Sequence, residues 1–157
     1  MRREPVFAIY AALTAIAAST LGGLATFPEI PGWYAGLAKP PFNPPNWIFG
    51  PVWTTLYALM AFAFWRVLVS RGRRPERSRA IFAYLAQIVL NTAWSFAFFA
   101  AHSPLAGLVV IALLWTTIVA TIRAFARIER LCAWLLAPYL AWVSFAAALN
   151  FAIWKLN

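Results

Sequence analysis

The chain has 157 residues, of which 64% are hydrophobic and only 11% are charged, whereas soluble domains carry about 25% charged residues. A soluble domain of this length could not remove so much apolar surface from water. The composition therefore excludes a soluble globular fold, and with it a conventional nucleic-acid-binding domain, despite the net charge of +9. One cysteine and one histidine exclude a disulfide framework and a self-contained zinc site.

Uncharged stretches divide the chain into candidate membrane spans, since about 20 apolar residues cross a bilayer. Charged residues are absent from residues 5–28, 40–65, 80–122 and 131–154. The third stretch is long enough for two spans, and Ser103-Pro104 offers a helix cap and a first helical position where they join. Continuous apolar runs favour helices over a barrel. The sequence predicts one all-α integral membrane domain over residues 1–157, with five transmembrane helices at about 5–27, 46–68, 79–101, 104–127 and 131–154.

The basic residues predict how the helices are oriented. Lys39 and Lys155 lie on one predicted side of the membrane. Eleven arginines lie on the other: Arg2, Arg3, Arg66, Arg71, Arg73, Arg74, Arg77, Arg79, Arg123, Arg127 and Arg130. This asymmetry predicts that the N-terminus lies inside and the C-terminus outside. Arg2-Arg3 also resembles the start of a signal peptide, but the apolar run reaches Phe27 and no Ala-x-Ala site follows, which favours a first membrane helix.

The segment 28–45 differs from the other predicted loops. Seven of the eleven prolines lie between Pro28 and Pro51, and proline stiffens the backbone. The loop also carries Trp33 and Tyr34. An interfacial aromatic belt would explain such rings, but it does not require a long, proline-stiffened loop, and long ordered loops are often functional lids. We expect this lid loop, residues 28–45, to cover one end of the bundle.

Polar and aromatic side chains mark one face of three predicted helices. Each could serve only helix packing or an interhelical hydrogen bond. Together, amide donors, stacking rings and a small residue describe a pocket for a flat apolar ligand. The faces consist of Trp53, Tyr57 and Met60 on the second helix, Gln87, Asn91, Trp94 and Ser95 on the third, and Tyr139, Trp142, Ala146 and Asn150 on the fifth.

Other chemistries lack the residues that they require. No Asp, Glu, Lys or Arg lies centrally in a predicted span, which argues against an ion-coupled pump. His102 alone cannot supply paired haem ligands. No catalytic triad, Cys-His pair or carboxylate pair is evident, so conventional acid–base or nucleophilic catalysis is not expected. No metal site and no obligatory cofactor are predicted.

Two rows of small residues permit close helix contacts. One row lies on the first helix and the other on the third: Ala11, Ala15, Ser19 and Gly23, and Ala93, Ala97 and Ala101. Either row could serve internal packing or form the seam of a homodimer.

Three ordered blocks, which together cover essentially the whole chain, resemble the TspO/MBR family of tryptophan-rich sensory proteins, related to the translocator protein or peripheral benzodiazepine receptor. The first block is Trp33-Tyr34-x-x-Leu37-x-Lys39-Pro40 with Pro44-Pro45-x-Trp47-x-Phe49-x-x-x-Trp53-x-x-Leu56-Tyr57-x-x-Met60. The second is Gln87-x-x-Leu90-Asn91-x-x-Trp94-x-x-x-Phe98-Phe99. The third is Pro138-Tyr139-Leu140-x-Trp142-x-x-Phe145-Ala146-x-x-Leu149-Asn150-x-x-x-Trp154-x-x-Asn157.

The resemblance is to bacterial-type members, which implies a protein of the bacterial cell membrane. The resemblance further implies a five-helix fold, commonly a homodimer, whose first loop caps a cavity. It also implies binding of porphyrins such as protoporphyrin IX, and of isoquinoline- and benzodiazepine-type molecules. The matching positions imply Trp53, Asn91 and Trp142 as principal contacts. Further contacts are expected from Trp33, Tyr34, Tyr57, Gln87 and Ala146, and the polar faces add Trp94 and Tyr139.

The family's functions leave alternatives open. The first is a receptor or sensor for tetrapyrroles, linked to porphyrin handling and to responses to stress, light or oxygen. The others are light-dependent porphyrin breakdown with Trp53 and Trp142 as redox partners, transport of porphyrin or lipid, and a helical scaffold without a ligand. Sterol is the weakest implied partner, because Phe151 stands where the cholesterol pattern expects tyrosine, although Lys155 supplies its basic end.

Overall fold

A computed structural model describes residues 4–70 and 73–157. Five of its helical segments are long and apolar enough to cross a membrane, which confirms the predicted all-α membrane bundle. Arg2, Arg3 and Arg71, which contribute to the predicted orientation, lie outside the described residues. The elements are α1 (Glu4–Thr26), a 3-10 turn (Phe27–Glu29), α2 (Trp33–Gly36), α3 (Asn46–Val69), α4 (Arg74–Ser95), a π turn (Phe96–Ala100), α5 (Pro104–Ala126), α6 (Arg130–Leu135) and α7 (Ala137–Leu156).

Two boundaries differ from the predicted spans. Helix α4 begins at Arg74 rather than near residue 79, with Pro75 in its first turn. Charge marks the part of a helix that leaves the bilayer but does not end the helix, so the spacing of charges underestimates its length. The fifth span is interrupted at Leu136, because Pro138 has no backbone N–H and its ring would clash with the carbonyl of Trp134.

The junction between α4 and α5 matches the predicted cap. The Ser103 hydroxyl accepts a hydrogen bond from the Ala106 N–H at 3.2 Å, and Pro104 begins α5. His102 lies in the turn with a φ of 51°, a left-handed conformation that is uncommon for a residue with a side chain.

A π turn ends the third membrane span. The Ala101 N–H donates to the Phe96 carbonyl at 2.8 Å, which closes a five-residue turn. The consecutive rings of Phe98 and Phe99 in this turn are both buried. The bundle therefore receives two adjacent aromatic rings from one turn.

The bundle divides into two halves along its axis. The basal half, next to the α3–α4 connection, has a closed core. The Phe64 and Tyr84 rings stack at 3.9 Å between centroids, and the hydroxyls of Thr14 and Tyr84 are 3.2 Å apart. Arg66 and Glu129 form an ion pair at 2.5 Å at this end. The lid half, beneath the lid loop, contains the cavity described next.

Candidate functional site

A cavity of about 210 Å³ occupies the lid half. Its wall is built by α1, α3, α4, the π turn and α7, with Tyr34 from the lid loop. The small side chain of Ala146 leaves space on α7, and Gly22 lets α1 pack closely on α4, where an added Cβ would lie 3.2 Å from Ser95 Oγ. Seven of the ten predicted ligand contacts line the cavity: Tyr34, Trp53, Tyr57, Asn91, Trp94, Trp142 and Ala146.

The other three predicted contacts lie beside the cavity rather than in its wall. Gln87 and Tyr139 are buried beneath it. Trp33 packs edge-on against Phe98 at 5.5 Å between centroids and stacks on His102 at 4.8 Å. In this conformation, these three side chains could affect a ligand only through the residues that they hold.

A chain of hydrogen bonds forms the floor of the cavity. The Tyr57 hydroxyl donates to Asn91 Oδ1 at 2.6 Å, and Asn91 Nδ2 donates to the Tyr139 hydroxyl at 3.1 Å. Tyr139 in turn donates to Gln87 Oε1 at 2.8 Å, and Gln87 Nε2 lies 3.9 Å from the Met60 sulfur. Each amide oxygen thus has a donor, so the floor is held in place by polar groups that already have partners.

A second amide braces the wall on the other side. Trp94 Nε1 donates to Asn150 Oδ1 at 3.2 Å, and Asn150 Nδ2 donates to the Pro104 carbonyl at 2.8 Å. Gly107 makes room for this amide, because a Cβ there would lie 2.7 Å from Asn150 Oδ1. Asn150 therefore fixes the Trp94 ring and joins α4, α5 and α7.

Aromatic rings form most of the remaining wall. Trp94 stacks on Phe98 at 5.6 Å between centroids, and Phe49 meets Trp142 edge-on at 5.9 Å. Phe49 and Phe98 were not among the predicted contacts. Phe98 could have been found from its spacing, because it follows Trp94 by one helical turn. Phe49 carried the same signal, because it precedes Trp53 by one turn of α3.

The lid loop is braced internally. The Tyr34 hydroxyl donates to Asn43 Oδ1 at 2.9 Å, and Lys39 Nζ donates to the carbonyls of Ala35 and Leu37 while lying 4.8 Å from the centre of the Tyr34 ring. Burial raises the pKa of the Tyr34 phenol above its ordinary value of 10.0, and the bond to Asn43 opposes part of that shift. The loop therefore has a defined shape of its own.

Two attachments hold the lid loop to the bundle. Asn157, which follows α7, accepts from the Ala38 N–H through Oδ1 at 3.0 Å and donates to the Ala38 carbonyl through Nδ2 at 3.0 Å. Glu29 Oε2 lies 2.6 Å from His102 Nε2, on whose ring Trp33 stacks. Both attachments lie on the side of α7 and of the α4–α5 turn.

The cavity offers stacking surfaces rather than reactive groups. Across residues 4–70 and 73–157, no cluster of three or more His, Cys, Asp or Glu side chains could hold a metal ion. Over the same part of the chain, every buried side-chain nitrogen or oxygen has a hydrogen-bond partner. A ligand would therefore meet mostly ring faces and edges.

These features define an α-helical membrane protein with an internal, aromatic-lined cavity beneath a braced loop. The chain belongs to the TspO/MBR family, whose model matches residues 10–155. It is 47% identical over 131 residues to the Tryptophan-rich protein TspO of Chlorobaculum tepidum, covering 83% of each chain. It is 41% identical to the Tryptophan-rich protein TspO of Archaeoglobus fulgidus, covering 92% of this chain and 93% of that one. The human Translocator protein is 40% identical, with 80% of this chain and 75% of that one covered.

Proposed function

We propose that the protein is a membrane receptor that binds planar apolar ligands of the tetrapyrrole class in the cavity, as part of porphyrin handling or of a response to stress, light or oxygen. The wall of the cavity carries the proposal, because Trp53, Trp94 and Trp142 border it. The amides behind these rings are bonded to other protein groups. Such a wall suits a flat ring system, including isoquinoline- and benzodiazepine-type molecules.

A titration with protoporphyrin IX tests the proposal, with tryptophan fluorescence quenching as the readout. Ala146→Leu places extra volume in the cavity, whereas Ala148→Leu places the same volume on an exposed face of the same helix. We expect Ala146→Leu to weaken binding by about tenfold or more, which corresponds to ~1.4 kcal/mol, and Ala148→Leu to bind as the wild type does. If the two variants bind protoporphyrin IX with equal affinity, the ligand binds outside this cavity.

Light-driven porphyrin breakdown is a second candidate, because Trp53 and Trp142 line the same cavity. Its test is the loss of porphyrin absorbance under illumination, compared between the wild type, Trp142→Phe and protein-free detergent. Equal loss in all three would exclude this activity. Transport would instead require porphyrin flux across sealed liposomes, and saturable binding without flux would favour a receptor.

We also propose a homodimer that uses the small-residue row that begins on α4 and continues through the π turn. In the α1 row, Ala11 and Ala15 are buried inside the bundle, and Ser19 and Gly23 border the cavity. In the other row, Ala101 is exposed and Ala93 and Ala97 are half-buried. Ala97→Leu should lower the mass of the detergent-solubilised protein to that of a monomer, and Ala112→Leu on an exposed position of α5 should not. A dimer that persists in Ala97→Leu would rule out this seam.

The proposed orientation follows the charges that the structure describes. Arg66, Arg123 and Arg130 lie at the basal end of the bundle, while Lys39 and Lys155 lie at the lid end. We therefore propose that the basal end faces the cytoplasm of a bacterial cell. A membrane-impermeant lysine reagent applied to intact spheroplasts should modify Lys39. If Lys39 reacts only after the membrane is permeabilised, the orientation is opposite to the one proposed.

A further inference from the structure

The exposed part of the cavity wall lies on one side of the bundle. Lining residues from α4, the π turn and α7 are buried or half-buried. The exposed lining residues all come from α1, the 3-10 turn after it, and α3: Ser19, Phe27, Asn46, Gly50 and Thr54. We call the gap bordered by these five residues the lateral mouth.

The two helices leave part of the cavity wall uncovered at the mouth. Ser19 on α1 and Thr54 on α3 both line the cavity and are both exposed. A Cβ added at Gly50 would have no other side chain and no other element within 4 Å. At the basal end, by contrast, α1 and α3 are in contact, since Trp65 Nε1 lies 3.4 Å from the Glu4 carbonyl. The basal ends of α1 and α3 are therefore in contact, whereas the cavity wall between their lid ends is partly exposed.

The mouth extends down into the membrane-spanning part of the bundle. Ser19 lies seven residues before the end of α1, and Thr54 lies eight residues after the start of α3. At about 1.5 Å per residue, the mouth reaches ~10–12 Å below the ends of these helices. Because the hydrocarbon core is about 30 Å thick, an opening of this depth faces lipid chains as well as headgroups.

Two other routes to the cavity are crossed by contacts, although a separate groove lies on the outer face between α3 and α7, lined by residues such as Thr55, Leu59 and Ala141. Between α3 and α7, Phe49 meets Trp142 edge-on, and Trp53 meets Tyr139 in the same way at 6.3 Å between centroids. Above the cavity, Asn157 holds the backbone of Ala38 through two hydrogen bonds. A ligand would have to break these contacts to pass between α3 and α7 or through the lid loop. At the mouth, the residues that border the cavity are already exposed.

Phe27 is the movable group at the mouth. Its side chain is 68% exposed, and its ring lies against Gly23, where a Cβ would come within 2.8 Å of the ring. The cavity of about 210 Å³ is smaller than the ~300–1,000 Å³ of most small-molecule sites. A tetrapyrrole therefore needs additional space, and movement of Phe27 would provide it at the mouth.

We infer that the ligand enters and leaves the cavity sideways from the bilayer, between α1 and α3, while the lid loop stays attached. The inference rests on the proposed function, since it describes the route to the same cavity. It identifies the source of the ligand as the pool dissolved in the membrane, and it makes the lid loop a wall rather than a gate. Amphiphilic or membrane-soluble planar molecules are the class that can use this route.

A pair of glycine substitutions tests the route. Gly50→Phe adds a ring at the mouth, and Gly36→Phe adds one to the lid loop, where the added Cβ also has no neighbour within 4 Å. Rates are measured by stopped-flow quenching with protoporphyrin IX in phosphatidylcholine nanodiscs. We expect Gly50→Phe to slow both association and dissociation by about tenfold or more, and Gly36→Phe to leave both unchanged. Wild-type rates in Gly50→Phe, or slowing only in Gly36→Phe, would overturn the route.

A second experiment needs no ligand. Trp53 lines the cavity and is half-buried, so lipid chains that reach the mouth should quench it when they carry bromine. The Trp53 signal is taken as the difference between the wild type and Trp53→Phe in brominated and ordinary phosphatidylcholine. We expect this signal to be quenched in brominated lipid and quenched less in Gly50→Phe. Absence of quenching would show that lipid chains do not reach the cavity through the mouth, which would overturn the route. Quenching without porphyrin binding would contradict the proposed function but not the mouth.

Discussion

The two halves of the bundle use similar side chains to opposite effect. In the basal half, the Phe64 and Tyr84 rings stack at 3.9 Å and continue to Phe125 at 6.2 Å, so aromatic surface covers aromatic surface. In the lid half, Trp53 and Trp142 are only half-buried and border empty volume. Aromatic content therefore does not by itself produce a binding site.

The difference lies in what holds the rings apart. The small side chain of Ala146 leaves the centre of the lid half open. The amides of Asn91 and Asn150 tie Tyr57 and Trp94 to the wall, so these rings do not collapse into the space. An empty apolar volume is unfavourable because its lining loses packing contacts, and a network of paired polar groups keeps the wall in place.

The largest expected effect is the loss of a ring from the basal half. Tyr84→Ala removes a fully buried side chain and one of the two hydrogen-bond partners of Thr14, which keeps the Ala11 carbonyl. We expect it to lower the free energy of unfolding by about 3–5 kcal/mol. Trp53→Ala should cost clearly less, because its ring already borders the cavity. Denaturant unfolding in detergent measures both. Equal losses would show that the two halves are packed alike.

A glycine pair compares the tight wall with the open mouth. Gly107→Ala would bring a Cβ within 2.7 Å of Asn150 Oδ1, so we expect a loss of about 1–3 kcal/mol in unfolding free energy. Gly50→Ala meets open space in the interior of α3, and should gain up to ~1 kcal/mol because alanine favours helix. Thermal unfolding of the two variants gives the sign of each change. A stabilising Gly107→Ala would contradict the assigned wall contact.

A smaller effect is expected at the attachment of the lid loop. Asn157→Leu removes both hydrogen bonds to Ala38, and an exposed bond of this kind contributes about 0.5–1.5 kcal/mol. Amide hydrogen exchange should accelerate over residues 33–39 and not in α5 or α7.

Ser144→Ala is the matched control for that attachment, because it removes the hydrogen bond to Trp115 at 2.9 Å on an exposed face away from the lid loop. It should leave exchange in the loop unchanged. The lateral route further predicts that Asn157→Leu binds protoporphyrin IX at the wild-type association rate. Faster association in Asn157→Leu would make the loop a gate.

The smallest effect concerns the pH dependence of the lid loop. The pKa of Tyr34 is raised by burial above the ordinary 10.0, so the folded loop binds its proton more tightly than the unfolded chain does. The resulting stability is complete below pH 10 and is lost as the pH rises through the folded-state pKa. Tyrosinate absorbance, taken as the difference between the wild type and Tyr34→Phe, should show ionisation above pH 10. Ionisation at or below pH 10 would contradict the burial of this phenol.

Charge spacing and hydrophobic length were sufficient to predict the five spans, because the bilayer imposes one length and excludes charge. The same logic could not predict the interruption at Leu136, which depends on a proline clash within one turn. It could not predict the π turn at Phe96–Ala100 either, because neither charge nor hydrophobic length marks it. Residue spacing and the family motifs predicted that Asn91 and Trp142 share one cavity, and both line it. They could not show that Asn91 already bonds Tyr57 and Tyr139, because hydrogen-bond partners from other helices have no fixed sequence distance.

The π turn also bears on how sequences of this kind tolerate changes in length. A membrane helix ordinarily cannot lose one residue without rotating everything beyond the deletion by about 100°. The turn at Phe96–Ala100 already holds one residue more than a regular helix needs, so a single deletion there would relax it into an α-helix and remove only one of the paired rings. The gap in an alignment of such chains would then fall inside the span rather than in a loop.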